Sequence, residues 1–198
     1  MRTRQLLSVT LSAALLSALL VLPGLASASG GVSWAERMIP GLKGEIRSVE
    51  WVDADRGFVL EYDTSNTLWA TENGGDTWTH SLIWPTGMAI LFGDSFEIKD
   101  VDFAMGGLNG WAVGVFKHAI MLPPFTEYSP IIFGTTNGGK TWTNQTPLLD
   151  TSLTGEGALN AVHWVGGTDV YACGENGIML ATARVGDDPP PGKSSVTT

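Results

Sequence analysis

Cysteine, histidine and arginine are scarce in this sequence, and each scarcity removes a class of chemistry. The single cysteine, Cys173, cannot form an internal disulfide. Set in Val170-Tyr171-Ala172-Cys173-Gly174, it reads as a buried small hydrophobe rather than a reactive thiol. The histidines, His80, His118 and His163, stand far apart and show no metal-ligand spacing. Asp53-Ala54-Asp55-Arg56-Gly57 has the look of a calcium loop. Its twelfth position, however, is Thr64 rather than a bidentate glutamate, so the stretch reads as a polar turn between strands. No metal and no cofactor is expected. Positive charge is also short, with 11 Lys and Arg against 20 Asp and Glu and a net charge of −9. That balance argues against nucleic acid or an anionic membrane surface as partner, since both reward Lys and Arg.

Apolar residues are not scarce. They make up 43% of the 198 residues and include 8 tryptophans, which argues against disorder. With 25 glycines and 10 prolines, the chain has the turn density of an all-β protein. Its length allows one domain with a real core. Residues 1–28 read as a secretory signal peptide: Arg2 and Arg4, an apolar run over 6–22, Pro23-Gly24, then Ala26-Ser27-Ala28 as the cleavage motif. The run carries Ser8, Thr10, Ser12 and Ser17 and falls short of the ~20 residues a membrane span wants. Cleavage before Ser29 removes Arg2 and Arg4, takes the net charge from −9 to −11, and leaves no membrane span. An exported protein is expected, in a periplasm, outside the cell, or in a compartment like the thylakoid lumen.

One eight-residue word occurs twice. Thr71-Glu72-Asn73-Gly74-Gly75-Asp76-Thr77-Trp78 and Thr135-Thr136-Asn137-Gly138-Gly139-Lys140-Thr141-Trp142 both read T-x-N-G-G-x-T-W, each after a short apolar run. Asn followed by two glycines is hairpin-turn chemistry: an amide that bonds nearby backbone, and residues that accept positive φ. The threonine before the tryptophan suits re-entry into a strand, and the tryptophan offers a large apolar face. Thr71, Asn73, Gly75, Thr77 and Trp78, with Thr135, Asn137, Gly139, Thr141 and Trp142, are therefore expected to be structural. None is a plausible nucleophile or proton shuttle, and no catalytic residue is expected.

The word resembles the Asp-box, or bacterial neuraminidase repeat, of β-propeller blades. Val101-Asp102-Phe103 followed by Gly110-Trp111-Ala112-Val113-Gly114 extends the resemblance to the photosystem II stability/assembly factor-like propellers, over about residues 46–182. The resemblance implies an all-β, propeller-like array of about three four-stranded antiparallel blades, partial or open, spanning 46–186 as units 46–97, 98–158 and 159–186. Short strands between turn residues agree with this. Aligning Val49, Val101 and Val162 places Trp51, Phe103 and Trp164 two residues on, as core residues of one face. Residues 29–45 would supply a closing strand, and 187–198 would form a disordered tail.

The units are unequal. From aligned valine to aligned threonine they span 22, 34 and 20 residues (Val49–Thr71, Val101–Thr135, Val162–Thr182). The second therefore carries about a dozen extra residues, within 117–130. A loop holding Ile120, Met121, Leu122, Phe125 and Tyr128 would either bury itself over the sheet or form a partner contact. The link 81–95 holds an exposed-looking apolar run at 88–92, and the third unit has no Asp-box after Thr182. Closed propellers use ~4 to 8 blades, so three leave a partial copy, a ring closed by a homodimer, or sheets packed without a channel.

The resemblance implies a non-enzymatic exported scaffold that holds a protein partner, with a membrane-protein subunit as the type case. The competing class is a sialidase-like or other carbohydrate-active propeller. Arg37-Met38-Ile39-Pro40 is similar to the Arg-Ile-Pro of sialidases, with Met38 inserted. That chemistry also wants an arginine cluster for the sugar carboxylate, and beyond the leader arginine occurs only at Arg37, Arg47, Arg56 and Arg184.

Overall fold

The computed structural model describes residues 33–88, 90–91, 93–121, 124–146 and 157–182, with the backbone but not the side chains of 120, 121, 124 and 125. The leader, its cleavage site, Leu122 and the tail 187–198 lie outside the described residues. The chain divides into residues 1–37 and residues 38–198. Residues 33–37 of the first part are exposed and carry no regular element.

Residues 38–198 are all-β. Strands β1 (Glu45–Trp51), β2 (Gly57–Tyr62), β3 (Thr67–Thr71) and β4 (Thr79–Leu82) form the first sheet; β5 (Ser95–Phe103), β6 (Gly110–Met121), β7 (Pro124–Thr135) and β8 (Thr143–Asn144) form the second. The third holds β9 (Leu159–Gly166), β10 (Asp169–Gly174) and β11 (Met179–Ala181), in the order β11-β10-β9. Every neighbouring pair is antiparallel and consecutive in sequence, the up-and-down meander of propeller blades.

Turn chemistry sets the connections. The Asp53 carboxylate accepts the N–H groups of Asp55 (2.9 Å) and Arg56 (2.7 Å) between β1 and β2, so this stretch is a turn in which the carboxylate bonds the backbone just ahead of it. Asp63 does the same for Ser65 and Thr67 between β2 and β3. There Asn66, at φ 52°, points its buried side chain across to the second sheet, accepting the Ile98 N–H at 2.8 Å and donating to the Phe96 carbonyl.

Pairing register fixes which residues share a face. Leu60 and Leu68 are partners on the inner face of the first sheet, next to Phe58 and Ala70. They pack on Ile98, Val101, Phe103, Phe133 and Trp142 of the second. Phe58 and Phe103 stack at 3.6 Å between centroids. A second core joins Val113 and Ile132 to Val162, Val170, Ala172 and Ile178 of the third sheet. Fully burying a side chain of this size stabilises by ~1.5–3 kcal/mol, so these two interfaces hold the array together.

Three sequence expectations need correction. Val101, Phe103 and Val162 are buried, but Val49 and Trp51 are 58% and 43% exposed. Their face of the first sheet is the one that the first and second sheets, respectively, cover on the second and third. Among the described residues no sheet covers it. Cys173 is exposed for the mirror reason, since it lies on the outer face of the third sheet. Its counterpart Val113 is buried by that same sheet. In the link after β4, Met88 and Ile90 pack against the first core, and of the described residues of that run only Leu91 is exposed.

The described extra residues of the second unit are strand. They lengthen β6 and β7 into a hairpin paired from Gly110–Thr135 to Met121–Pro124. Strand β5 accompanies it only as far as Lys117, so the pairs from His118–Glu127 outward form a two-stranded ribbon. The prolines fit because Pro124 opens β7, and Pro130 lies where β8, which pairs only Phe133 and Gly134, does not reach. A missing N–H costs nothing at either place.

Candidate functional site

Both T-x-N-G-G-x-T-W turns use their polar groups internally. Thr71 donates its hydroxyl to the Asn73 side-chain oxygen (3.0 Å) and accepts the Gly75 N–H (3.0 Å); that Asn73 oxygen accepts the Thr77 N–H (2.9 Å). The Asn73 amide donates to the Thr77 hydroxyl at 2.9 Å, and the Trp78 indole donates to the Gly75 carbonyl at 3.0 Å. Thr135, Asn137, Gly139, Thr141 and Trp142 repeat every one of these bonds, at 2.7–3.1 Å. Glycines 74, 75, 138 and 139 all take positive φ. The turns thus bring these ten residues into two hydrogen-bonded networks of the same geometry.

The two tryptophans differ in what they meet. Trp142 is 1% exposed, edge-on to Phe103 at 6.2 Å between the first and second sheets. Trp78 is half-buried, edge-on to the exposed Trp51 at 6.3 Å. The outer face of the first sheet therefore presents tryptophans at the positions that are internal one unit later.

A polar stripe that the sequence reading passed over runs along β1, β5 and β9. Asp100 accepts the Ser48 hydroxyl (2.5 Å) and the Val162 N–H (2.9 Å), tying β5 to both neighbours. Asp102 accepts the Trp164 N–H (2.5 Å) and lies 3.1 Å from the His163 ring. The only sequence signal was the alternation of two acids with Val101 and Phe103, which resembles a solvated face. Glu50 sits beside them. Partial burial, then the Asp102 charge, raise its pKa against the pull of His163, and Asp100 adds a smaller push upward. Glu97 carries ion pairs to Arg47 and to Lys117 (2.7 Å). Burial raises its pKa, but these cations outweigh that and hold it below the ordinary glutamate value.

The described arginines of residues 38–198 do not gather. Arg47, near the start of β1, pairs with Glu97 and lies over the Tyr62 ring at 4.0 Å. Arg56, beyond the end of β1, pairs with Asp53 at 3.4 Å and donates to the Gly106 carbonyl. Arg184 lies outside the described residues. Among those residues no group of three His, Cys, Asp or Glu could hold a metal ion, and no helix is long and apolar enough to cross a membrane.

Of the apolar set at 120–128, Ile120 pairs with Phe125 and Met121 with Pro124 at the end of the ribbon. Tyr128 is 49% exposed. The ribbon is held at its base, where Asp94 accepts the Ala119 N–H (3.0 Å) and meets the His118 ring at 2.8 Å.

Stacked antiparallel meanders, with one tryptophan turn buried between the first two sheets, define this chain as a propeller-like array. No family model and no curated protein sequence matches it. Solved structures do. A structure of YCF48 bound to D1 peptide is 22% identical, with a TM-score of 0.47, over 72% of this chain and 37% of the other. YCF48 from Cyanidioschyzon merolae is 15% identical, with a TM-score of 0.24, over 78% of this chain and 74% of the other. This chain thus spans little more than a third of the first of these proteins.

Proposed function

We propose that this protein is an exported, non-enzymatic scaffold that holds a protein partner through the β6–β7 ribbon, in the manner the resemblance to assembly-factor propellers implies. The observation that carries the reading is the ribbon itself. It runs beyond the sheet that its sister units share, is anchored at its base by Asp94, and presents Tyr128 to solvent. Propeller geometry needs no such extension, and Met121, Phe125 and Tyr128, among Ile120, Met121, Leu122, Phe125 and Tyr128, are of the aromatic and methionine types favoured at interface anchors. The binding chemistry expected is an apolar segment of a membrane-protein subunit.

The test is site-directed crosslinking through a photoreactive residue in place of Tyr128 in the exporting host. A single defined membrane-protein adduct, lost when residues 119–126 are replaced by Asn-Gly, supports the reading. Sialic acid or glycan binding that persists in the shortened variant and is lost in Arg37→Ala would favour the carbohydrate-active alternative. A second reading, a homodimer closing a ring, draws on the exposed Val49, Trp51 and Leu82 at one end of the array and Val165, Tyr171 and Met179 at the other. Sedimentation equilibrium separates the two: a dimer dispersed by Trp51→Asp supports ring closure, and a monomer rejects it.

A further inference from the structure

The two interfaces between sheets differ at the end where the β5–β6 and β9–β10 connections lie. Between the first and second sheets, residues 104–109 join β5 to β6 and fold over Phe58. A Cβ on Gly107 would stand 3.4 Å from that ring, Arg56 donates to the Gly106 carbonyl, and Phe58 stacks on Phe103. Between the second and third sheets, the connection in the same place is the short Gly167-Thr168 turn from β9 to β10. A cleft of about 360 Å³ lies there, beside Trp111 near the start of β6. That volume falls within the ~300–1,000 Å³ of small-molecule sites.

The residues around the cleft differ together from their counterparts. Gly110 pairs with Thr135 as Gly57 pairs with Thr71. Asn109, Trp111, Gly134 and Gln145 therefore stand where the first sheet has Arg56, Phe58, Ala70 and Ser81. Arg56 is spent on Gly106, and Ser81 donates its hydroxyl to the Gly139 carbonyl at 2.9 Å. Among the described residues, by contrast, the Asn109 and Gln145 carboxamides make no hydrogen bond, and the Trp111 indole has neither a ring contact nor an acceptor for its N–H. A Cβ on Gly134 would come 2.7 Å from the Gln145 Cδ. The glycine therefore makes room for the longer side chain that replaces Ser81.

None of the described residues that line the cleft is charged, in a chain with 20 Asp and Glu. An ionic ligand would give up its water there without a counter-charge, so the ligand that fits is uncharged. It needs a flat apolar face for the half-buried Trp111 indole, and a rim of donors and acceptors for the carboxamides and the Thr136 and Thr143 hydroxyls. A sugar ring has both, with C–H groups on its face and hydroxyls at its edge. We propose that the cleft binds an uncharged saccharide, one ring stacked on Trp111 and its hydroxyls held by Asn109 and Gln145. Among the described lining residues no carboxylate stands ready to protonate or attack a glycosidic bond, so the sugar is held and not cleaved. This activity goes beyond the partner-holding role and uses none of the ribbon's residues, so each stands or falls separately.

The probes are maltotriose, cellotriose and triacetylchitotriose, each titrated calorimetrically into the full chain, with N-acetylneuraminic acid as the anionic comparison. At least one trisaccharide should bind saturably, and the anionic sugar should not. Trp111→Ala should weaken that binding at least about tenfold. Asn109→Ala should weaken it about fivefold, as should Gly134→Ala, which displaces the Gln145 carboxamide. What gives way in Gly134→Ala is the end of a flexible side chain, so that variant should fold as the parent does. If Trp111→Ala misfolds by circular dichroism, the other two variants decide. The ribbon-shortened variant and Arg37→Ala should bind as the parent does, which separates this cleft from the ribbon and from the carbohydrate-active alternative. No saturable binding of any trisaccharide, equal binding of the anionic sugar, or binding that the folded cleft variants leave unchanged would overturn the proposal.

Discussion

At Gly139 two constraints coincide: φ is +79°, and Leu68 lies 2.5 Å from where a Cβ would stand. Gly106 shares the first, at φ +91°, with nothing within 4 Å. Gly106→Ala should therefore cost about 1 kcal/mol, from backbone conformation alone. Gly139→Ala should cost roughly 2–4 kcal/mol, because overpacking a filled interface adds to it. Urea unfolding measures both, and equal costs would mean that the contact between the sheets is slack. A second single-residue effect concerns acid. Burial raises the pKa of Glu61, but the Trp69 indole (2.7 Å) and the N–H groups of Gly44 (2.6 Å) and Lys43 (2.9 Å) outweigh it and hold it below the ordinary value. A depressed carboxylate stabilises above its unfolded pKa, and that stability is lost as pH falls through the lower folded value. Glu61→Gln should thus lower the melting temperature at pH 7, with the gap from the parent narrowing below about pH 4. A constant gap from pH 7 to pH 3 would contradict the assignment.

Elements differ in how much of themselves they write into sequence. Replacing residues 119–126 by Asn-Gly keeps the pairs up to His118–Glu127 and suits a two-residue hairpin turn. The melting temperature should fall by no more than about 4 °C, since the removed pairs lie beyond β5; a larger fall in a thermal scan would make the ribbon part of the core. The repeated turns were legible because their hydrogen bonds are local, confined to eight residues. The ribbon was less so, because prolines at 124 and 130 look like breakers until their place at a strand start and a sheet edge is known. Strand β5 begins at Ser95 rather than at Ile98 for a related reason. Its first residues owe their pairing to Phe116 and Lys117 of the lengthened β6.

For the whole molecule, burial is decided by neighbours that local pattern cannot report. Val49 and Val101 occupy the same place in their strands, and only a sheet lying over one of them makes it core. Asp100 and Asp102 likewise look solvated until β9 is laid beside them. The account's central claim is that the tryptophan turns are fasteners between sheets, so that their worth depends on whether a sheet stands opposite. The direct test is the equilibrium unfolding of Trp142→Ala against Trp78→Ala. Removing the indole buried beside Phe103 should cost about 3–5 kcal/mol, in the range of core aromatic truncations, and removing the half-buried one markedly less. Equal losses, or a greater loss at Trp78, would contradict the claim.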